Sequence, residues 1–454
     1  MLESSLSAVL GALALVVAVY YSLWTVIHLL VSAVGVRSLG PVAARAEAGT
    51  AGEPLTIAVP AYNERETVVE TLRSLLEQPY PLSVVFVDDG STDGTFEAVA
   101  AAYDLVFTET EPPRPDAVRS ADGGRPLTDG GLPQRGVFEA TDEPLTVVRQ
   151  ENRGKSAALN RALELCETPL FGVVDADTVV EPATIRRLST QFADEATVAA
   201  GGSFRVSDAP KALAGTARND LSTTWFGRFQ ALEQLRVFVL RQVGRAQFGT
   251  MTSVLGACCM FRTDLVRAVD GFAAVETEDF ELAVALRRHC VEVGRACRCV
   301  HVPNAVAWTT VPQTLAALDE QRQRWIRGVV EVLARHRAIL GRPAYGRLGT
   351  VALPYIALGE VLWLSLEGIG LVLVPLAWGV GALSTLWLAA FLSAVFVLGP
   401  AMSALAIYGI GTVDGGYDRA DQRTLLVTAV VERLCWRPAQ VFLGVYSVFD
   451  FFRR

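Results

Sequence analysis

The stretch SVVFVDDGSTDGT at residues 83–95 joins a short β-branched apolar run to an acidic turn that contains glycine. Such a run predicts a buried strand over Ser83 to Val87, and the acidic turn then lies at its carboxyl end. Similar runs predict strands at 55–59, 145–149 and 170–174. Because helical patterns separate these runs, the sequence predicts an α/β domain with a parallel sheet built from βαβ units.

Two of these other runs also end in polar motifs, PAYNE at 60–64 and DAD at 175–177. The carboxyl ends of the strands form the ligand crevice of an open α/β sheet, so the motifs are expected to converge on one site. Carboxylates one residue apart, as in DAD, can hold a hard divalent cation that bridges nucleotide phosphates. Acidic pairs also occur at ordinary turns, and the pair at 88–89 is equally compatible with a helix-capping turn.

The composition excludes several classes of protein. The chain has 454 residues, of which 51% are hydrophobic and 19% charged, and its mean hydropathy is +0.34, which is too apolar for an ordinary soluble enzyme. With 40 basic against 48 acidic residues, the sequence offers no basic face, so we expect no nucleic-acid partner. The seven cysteines do not form the framework of a small secreted domain, which favours reduced thiols.

A zinc site is one interpretation of the cluster Cys290, Cys297 and Cys299 with His289 and His301. The cluster lacks the paired CxxC spacing of common structural zinc sites. We therefore expect the thiols to pack as small apolar residues.

Residues 1–36 predict an N-terminal transmembrane helix, because no charged residue occurs between Ser4 and Val36. The chain begins Met-Leu-Glu without the basic start of a signal peptide, which favours a permanent anchor. Arg37 and Arg45 follow the helix and no basic residue precedes it, so the positive-inside rule puts the next domain in the cytoplasm.

Residues 347–412 predict two further transmembrane helices with a turn near 379–381. Glu360 and Glu367 share one helical face, where they either line a polar conduit or pair with arginines of the last segment, Arg433 or Arg437. That last segment, 424–454, is predicted to be interfacial or a fourth membrane segment. The expected location is therefore the cell membrane, with several spans.

Two segments adjoin or interrupt the predicted catalytic domain at 53–312. Residues 110–144 are rich in Pro and Gly without periodicity, which predicts a mobile surface insertion. Residues 313–346 predict an amphipathic helix at the membrane surface. Gln321, Arg324 and Trp325 lie on one face of this helix, where an arginine fork suits a pyrophosphate and an indole suits a sugar ring.

The complete ordered set of motifs resembles the processive membrane glycosyltransferases of family two, the group of cellulose, chitin, hyaluronan and poly-N-acetylglucosamine synthases. The set consists of PAYNE at 60–64, DDGSTD at 88–93, NRGKSAALN at 152–160, DAD at 175–177, ETED at 276–279 and QRQRW at 321–325. The resemblance covers about Leu55 to Gly328 with the flanking membrane helices. It implies a Rossmann-like GT-A domain in the cytoplasm, flanked by transmembrane helices, a nucleotide-sugar donor, Mg or Mn as the divalent cation, and inversion at the anomeric carbon.

The resemblance also implies a role for each matching residue. The donor would be held by Tyr62, Glu64, Asp88, Asp89, Lys155 and Asp175, and the metal by Asp177 and Asp175. Asp279 would be the general base, with Glu276 and Glu278 raising its pKa by like-charge repulsion. Gln321, Arg324 and Trp325 would contact the pyrophosphate and acceptor, and Gly256 would lie on the strand that approaches the acceptor.

Three functions are compared on this basis. The first is processive extension of a β-linked polysaccharide from a nucleotide-sugar, most simply a UDP-sugar, with the growing glycan and the bilayer as partners. The second is transfer of one sugar to a polyprenyl-phosphate lipid; the small number of spans keeps it open or implies an oligomer or secretion partner. The third is a nucleotide-binding scaffold without catalysis, which the intact acidic motifs disfavour.

Overall fold

The computed structural model describes residues 2–49, 52–109, 128–129, 132–133, 135–207, 221–254, 256–413, 417–438 and 440–441. Among these residues, ten strands form one mixed sheet in the order β3-β6-β7-β2-β1-β8-β11-β10-β12-β9. The strands are β1 Leu55–Ala61, β2 Leu82–Asp89, β3 Leu105–Glu109, β4 Thr128–Asp129, β5 Leu132–Pro133, β6 Gly136–Ala140, β7 Leu145–Gln150, β8 Leu170–Val174, β9 Thr178–Val180, β10 Thr197–Ser207, β11 Cys258–Arg262 and β12 Arg298–Thr310. β4 and β5 pair separately as a short hairpin.

The helices lie on both faces of this sheet and continue beyond it. They are α1 Leu2–Ala48, α2 Val68–Leu76, α3 Thr95–Ala102, α4 Lys155–Glu164, α5 Thr184–Ser189, α6 Trp225–Glu233, α7 Arg241–Gln247, α8 Thr263–Ala268, α9 Glu278–Glu292, α10 Leu315–Arg335, α11 Trp363–Gly379, α12 Thr385–Ser393, α13 Gly399–Ile410 and α14 Arg419–Val431. Segments of π-helix run over Gln234–Leu240, Leu348–Ala352, Tyr355–Leu362, Ala394–Leu398 and Glu432–Trp436. Short 3₁₀ turns occupy Thr190–Ala193, Arg337–Ile339 and Pro343–Tyr345.

The centre of the sheet is parallel, as the sequence predicts, and its strand ends are in register. β1 pairs in parallel with both β2 and β8, and β2 pairs in parallel with β7. Ala61 at the end of β1 aligns with Asp88 of β2, which in turn aligns with Arg149 of β7. The strands predicted at 55–59, 83–87, 145–149 and 170–174 are thereby confirmed, and their polar ends meet at one edge.

Part of the predicted insertion at 110–144 belongs to the sheet. Residues 136–140 form β6, which pairs antiparallel with β3 and β7. Phe138 on β6 is buried and contacts Phe96 of α3 with ring centroids 5.3 Å apart. The prediction of an insertion without regular structure was therefore wrong for this stretch, because β6 is too short to show a period against its Pro and Gly neighbours. Residues 110–127 lie outside the described part of the chain.

The N-terminal helix α1 is longer than the span predicted from composition. It continues without a break to Ala48, and its last turns dock on the sheet domain. Glu47 accepts hydrogen bonds from Arg186 at 2.8 Å and from Arg187 at 2.6 Å. The side chain of Asn304 on β12 donates to the carbonyl oxygen of Ala43 at 3.2 Å. The helix therefore joins the apolar segment to the sheet domain directly.

In the described parts of the chain, two helices are long and apolar enough to cross a membrane, Ser5–Ala48 and Thr385–Ile410. A third candidate consists of Leu348–Leu362 and Leu366–Gly379, which meet at a bend of 51°. A turn at 380–381 follows that pair, where the sequence predicts it.

The two glutamates of the bent pair, Glu360 and Glu367, have different partners. Glu367 is fully buried and pairs with Arg437 at 2.7 Å and Arg433 at 3.5 Å. Glu360 instead accepts from Arg245 at 3.2 Å and lines a cavity. Pairing with the arginines of the last segment is thus confirmed for Glu367, whereas Glu360 pairs with an arginine of α7.

Candidate active site

A cavity of about 1020 Å³ opens beside the carboxyl ends of the central strands. Most of the predicted site residues line it: Lys155, Asp175, Asp177, Gly256, Glu278, Asp279, Gln321, Arg324 and Trp325. The predicted residues that follow β1 or end β2, namely Tyr62, Glu64, Asp88 and Asp89, lie outside its lining. Lys155 and Trp325, which are 170 positions apart in sequence, thus line the same cavity.

The loops after β1 and β2 hold each other through side-chain hydrogen bonds. Asn63 adopts a φ of 60°, and its Oδ1 accepts from the backbone N–H of Thr92 at 2.9 Å. The backbone N–H of Glu64 donates to Oγ1 of Thr95 at 2.8 Å. These bonds fix the PAYNE loop against the DDGSTD loop and leave Tyr62 half exposed beside them.

Asp88 and Asp89 are both buried but have different surroundings. Asp89 accepts from Gln150 Nε2 at 2.7 Å and from the backbone N–H groups of Arg153 and Gly154 at 2.9 and 2.7 Å. It therefore anchors the loop that begins α4. For Asp88, Oδ2 has no hydrogen-bond partner among the described residues, and burial raises the pKa of this carboxyl.

Lys155 is the first residue of α4 and joins two of the acidic motifs. Its Nζ lies 2.8 Å from Asp175 and 2.8 Å from Glu278. Burial acts to lower the pKa of Lys155, but attraction by these carboxylates outweighs it and keeps the pKa well above the usual value. Burial raises the pKa of Asp175, which Lys155 opposes and Asp177 reinforces. The lysine is thus a fixed positive charge in the cavity wall.

Asp177 is the carboxylate of the DAD motif that Lys155 does not engage. Its Oδ2 accepts from the hydroxyl of Thr310 at 2.8 Å, and its side chain lines the cavity. Burial, followed by repulsion from Asp177, raises the pKa of the nearby Glu64 to about 7. The excess of negative charge at this edge suits a hard cation that prefers oxygen ligands.

No group of three or more His, Cys, Asp or Glu side chains in the described residues is arranged to hold a metal ion by itself. The two carboxylates of the DAD motif, Asp175 and Asp177, fit a cation such as Mg²⁺, which is commonly bound by one or two carboxylates together with substrate phosphates. The thiols of Cys290 and Cys299 are buried, and that of Cys297 is partly buried.

Asp279 lies in the first turn of α9 and faces the cavity. Its Oδ2 accepts from the backbone N–H of Gly256 at 2.8 Å, and its Oδ1 accepts from the backbone N–H of Phe280 at 2.7 Å. Burial and then repulsion by Glu278 raise the pKa of Asp279 to about 7, against the opposing attraction of Lys155. A carboxylate with this pKa can take up a proton at neutral pH.

The neighbours of Asp279 differ in part from the prediction. Burial contributes most to the raised pKa, and Glu278 is the acid beside it that contributes next. Glu276 is exposed and lies 4.0 Å from Arg327. Gly256, predicted to allow approach of the acceptor, allows close approach of the Asp279 carboxylate, because a Cβ added there would lie 3.2 Å from Oδ2.

Gln321, Arg324 and Trp325 project from α10 into the same cavity, as their spacing predicts. The side chain of Arg324 is 46% exposed, so its guanidinium is accessible to a ligand. The ring of Trp325 contacts Phe238 edge-on, with centroids 5.6 Å apart. The helix therefore offers a cationic fork and an indole to the cavity.

The sequence did not predict which residues hold the Trp325 side chain in place. The guanidinium carbon of Arg322 lies 4.4 Å above the indole centroid, and its nitrogens donate to Glu233 of α6 at 3.0 and 2.5 Å. The sequence signal was Glu233, the one carboxylate of α6, but its partner is 89 positions away.

Two family models match the chain. The model described as "Glycosyltransferase like family 2" matches residues 135–328, and "Glycosyl transferase family 2" matches residues 56–113. These ranges include every residue predicted to bind donor, metal or acceptor. With the sheet described above, they confirm the predicted GT-A type of α/β fold.

Among curated proteins, the chain is similar to poly-beta-1,6-N-acetyl-D-glucosamine synthases of staphylococci. It is 24% identical to that of Staphylococcus epidermidis over 284 residues, which are 62% of this chain and 56% of the relative. It is 25% identical to that of Staphylococcus aureus strain COL over 286 residues, with the same shares. The matched region thus spans little more than half the length of these relatives.

Solved structures give more distant likenesses. The mannosyltransferase PcManGT from Pyrobaculum calidifontis, in complex with GDP-Man and Mn²⁺, is 21% identical with a TM-score of 0.47, over 92% of this chain and 99% of that one. S. aureus TarS 1–349 in complex with UDP-GlcNAc is 14% identical with a TM-score of 0.38, over 87% and 92% of the two chains. The two family models together cover more than half of the sequence, and the chain belongs to glycosyltransferase family 2.

Proposed function

We propose that the protein is an inverting glycosyltransferase of the cell membrane. It would use a nucleotide-sugar, with a UDP-sugar as the first candidate, to extend a β-linked polysaccharide processively. The observation that carries this proposal is Asp279, whose raised pKa of about 7 suits a general base and which shares one cavity with Lys155 and Trp325.

The reaction follows from a single base in the cavity. Asp279 takes the proton of an acceptor hydroxyl as that oxygen attacks the anomeric carbon of the donor sugar. The new C–O bond forms as the bond from that carbon to the nucleotide phosphate breaks, and the nucleoside diphosphate leaves with the electron pair. Direct displacement of this kind inverts the anomeric carbon.

The cationic side chains stabilise the charge that the leaving group acquires. Lys155 is fixed between Asp175 and Glu278, and the exposed guanidinium of Arg324 suits a bidentate contact with a pyrophosphate. Asp177 and Asp175 would hold the divalent cation, Mg or Mn, which when bound neutralises pyrophosphate charge.

The nucleoside would lie over the ends of β1 and β2. There the half-exposed ring of Tyr62 offers a stacking surface, and Asp88 and Glu64 offer acceptors. Asp89 acts through the loop that it anchors, because its oxygens are already engaged by Gln150, Arg153 and Gly154. Glu278 is likewise a positioning residue, which holds Lys155 beside the base.

The acceptor would be the growing glycan, with its terminal sugar against Trp325. Arg37 and Arg45, which follow the apolar part of α1, favour a cytoplasmic catalytic domain. The bilayer is then a structural partner, because the last turns of α1 contact the sheet domain directly.

The test is product length. Detergent-purified protein with Mn²⁺ is given a panel of labelled nucleotide-sugars and a lipid extract, beside Asp279→Asn and Trp325→Ala. We expect ladders of many sugars from one donor, lost in both variants. Absence of any sugar transfer from every donor would overturn the proposal.

A second candidate is transfer of a single sugar to a polyprenyl-phosphate lipid. It is favoured by the small number of spans, since the described residues contain two apolar helices of sufficient length and one bent pair. In the same assay, one sugar found only on lipid, with Trp325→Ala still active, would select this function. An oligomer or a secretion partner reconciles the few spans with the polysaccharide product.

A further inference from the structure

A second cavity, of about 200 Å³, lies among the apolar segments beside the candidate active site. It is lined by α1, by the helical stretch 233–241, by α10 and by the segments around 360, 402 and 433–440. It shares Arg322, Trp325 and Glu360 with the active-site cavity. A ligand bound here would therefore adjoin the transfer site.

The charges that line this membrane cavity are unbalanced. Among the described residues that line it, five are arginines and two are glutamates: Arg236, Arg241, Arg322, Arg433, Arg437, Glu233 and Glu360. Burial of charge among apolar helices is costly unless opposite charges compensate it.

The ion pairs of the described residues leave a positive excess. Glu233 pairs with Arg322 at 2.5 Å, and Glu432 pairs with Arg236 at 2.8 Å. Glu360 is engaged by Arg245 at 3.2 Å, which lies outside the cavity lining. Glu367 is shared between two arginines, Arg433 and Arg437. Six arginines thus face four glutamates, an excess of two positive charges.

Among the described arginines that line the cavity, Arg241 is the one without an ion pair to a carboxylate. Its side chain is buried at 8% exposure, and its Nε has no hydrogen-bond partner in the described part of the chain. His28 of α1 is completely buried on another wall, and neither of its ring nitrogens has a hydrogen-bond partner among the described residues. Both residues line the cavity, so a guanidinium without an ion pair among the described residues borders it.

We propose that this cavity binds the phosphate of a membrane lipid, with Arg241 as its principal ligand. An excess of two positive charges matches a phosphate monoester, and a guanidinium fork matches its oxygens. A phosphate group has five heavy atoms, and a water takes about 30 Å³ in the liquid, so a cavity of about 200 Å³ accommodates it.

The walls indicate why the phosphate is carried on an apolar chain. Val361 and Met402 also line the cavity, and both belong to segments with the composition of membrane spans. Basic pockets between membrane helices are typical sites for lipid head groups. The inference rests on the proposed function only in taking the adjoining cavity as the transfer site.

The experiment measures lipid binding by the full chain in detergent without donor. The probes are farnesyl phosphate, farnesol, a short-chain phosphatidylglycerol and inorganic phosphate, followed by tryptophan fluorescence and thermal unfolding. The variants are Arg241→Met, Arg241→Lys and, as a matched control, Arg288→Met. Arg288 is partly exposed on α9, and among the described residues its one ion pair is with Glu292, one turn away.

We expect the wild type to bind farnesyl phosphate at least tenfold more tightly than farnesol or inorganic phosphate. Arg241→Met should lose at least tenfold, Arg241→Lys should lose less, and Arg288→Met should match the wild type. Equal competition by phosphatidylglycerol would assign the phosphate to a phospholipid, and failure to compete would assign it to an isoprenoid monoester.

Equal binding of farnesol and farnesyl phosphate would overturn the proposal, as would wild-type affinity in Arg241→Met. Inorganic phosphate as tight as farnesyl phosphate would overturn the lipid assignment. If Arg241→Met does not fold, the wild-type comparison of the probes decides alone. Sugar transfer is assayed separately, so transfer without lipid binding overturns this inference alone, and lipid binding without transfer overturns the proposed function alone.

Discussion

The backbone N–H of Gly256 donates a 2.8 Å hydrogen bond to Oδ2 of Asp279, joining the stretch before β11 to the first turn of α9. This contact orients the carboxylate that we propose as the base. It exists because residue 256 has no side chain, which lets the Asp279 carboxylate approach the backbone closely.

Gly256→Ala should therefore misplace the base. A Cβ at this position would lie 3.2 Å from Oδ2, so the carboxylate must move. We expect kcat to fall about tenfold to a hundredfold, with little change in KM for the donor. Steady-state kinetics check this against Gly379→Ala, where nothing lies within 4 Å of an added Cβ. A kcat equal to that of the control would exclude an orienting role for Gly256.

The activity should depend on pH through Asp279. Its pKa of about 7 means that the ionised base accumulates as pH rises, so kcat/KM should increase up to about pH 7 and then level off. Asp279→Asn should lose about 10²–10⁴ in rate. Asp264→Asn, at an exposed carboxylate, serves as the control and should keep the wild-type profile. An unaltered rate in Asp279→Asn would remove this residue from the mechanism.

The stability of the fold should fall with rising pH, whereas the activity should rise. Glu64 has a pKa of about 7 when folded and about 4.3 when unfolded, so between these values the folded state holds the extra proton. Its contribution to stability is therefore lost as pH rises towards 7. We expect Glu64→Gln to flatten the fall in the melting temperature of the ligand-free protein between about pH 5 and 7. If the melting temperatures of the wild type and Glu64→Gln fall equally with pH, the raised pKa of Glu64 is contradicted.

Lys155 should set the pH at which the base ionises. Its positive charge lowers the pKa of Asp279, against burial and Glu278. In Lys155→Gln the rise of kcat/KM should move to higher pH by on the order of one unit, in addition to weaker donor binding. Lys155→Arg keeps the charge, so its profile should stay near that of the wild type. The pH–rate profiles of the three proteins decide between these outcomes.

Arg322 and Glu233 should act as a unit in holding Trp325. Their side chains are only 17% and 12% exposed, and their nitrogens and oxygens form a double contact. A cycle of Arg322→Gln, Glu233→Gln and the double variant should give a coupling of about 0.5–3 kcal/mol in unfolding free energy.

In the same variants, product chains should become shorter. For the unfolding free energies, the control is the same cycle on the surface pair Arg288 and Glu292, with an expected coupling of about 0.3–0.5 kcal/mol. If Arg322→Gln and Glu233→Gln change the unfolding free energy additively, their contact does not hold Trp325 in place.

The centre of the fold was predictable because its signals are local. β2 and β8 are continuous apolar runs closed by acids, and a run of this kind predicts a buried parallel strand wherever it occurs. β6 has no such signal, because its five residues follow a stretch rich in Pro and Gly. It becomes a strand through pairing with β3 and β7.

The site was predictable where a motif carries its own chemistry, as Asp175 and Asp279 do. The support of Trp325 was not, because the pairing of Arg322 with Glu233 depends on how α6 packs against α10. The same limit applies to Glu360 and Glu367, which share a helical face in sequence but find different arginines after a bend of 51° in that region.

The length of α1 has a mechanical consequence. At about 1.5 Å per residue, its 47 residues extend about 70 Å, against about 30 Å for the apolar core of a bilayer. Because its end is held on the sheet domain at Glu47 and Ala43, the helix would set the height and orientation of the cavity above the bilayer in the membrane-bound protein that we propose. One residue inserted into α1 would shift the cavity by about 1.5 Å along the helix axis and rotate it by about 100° about that axis.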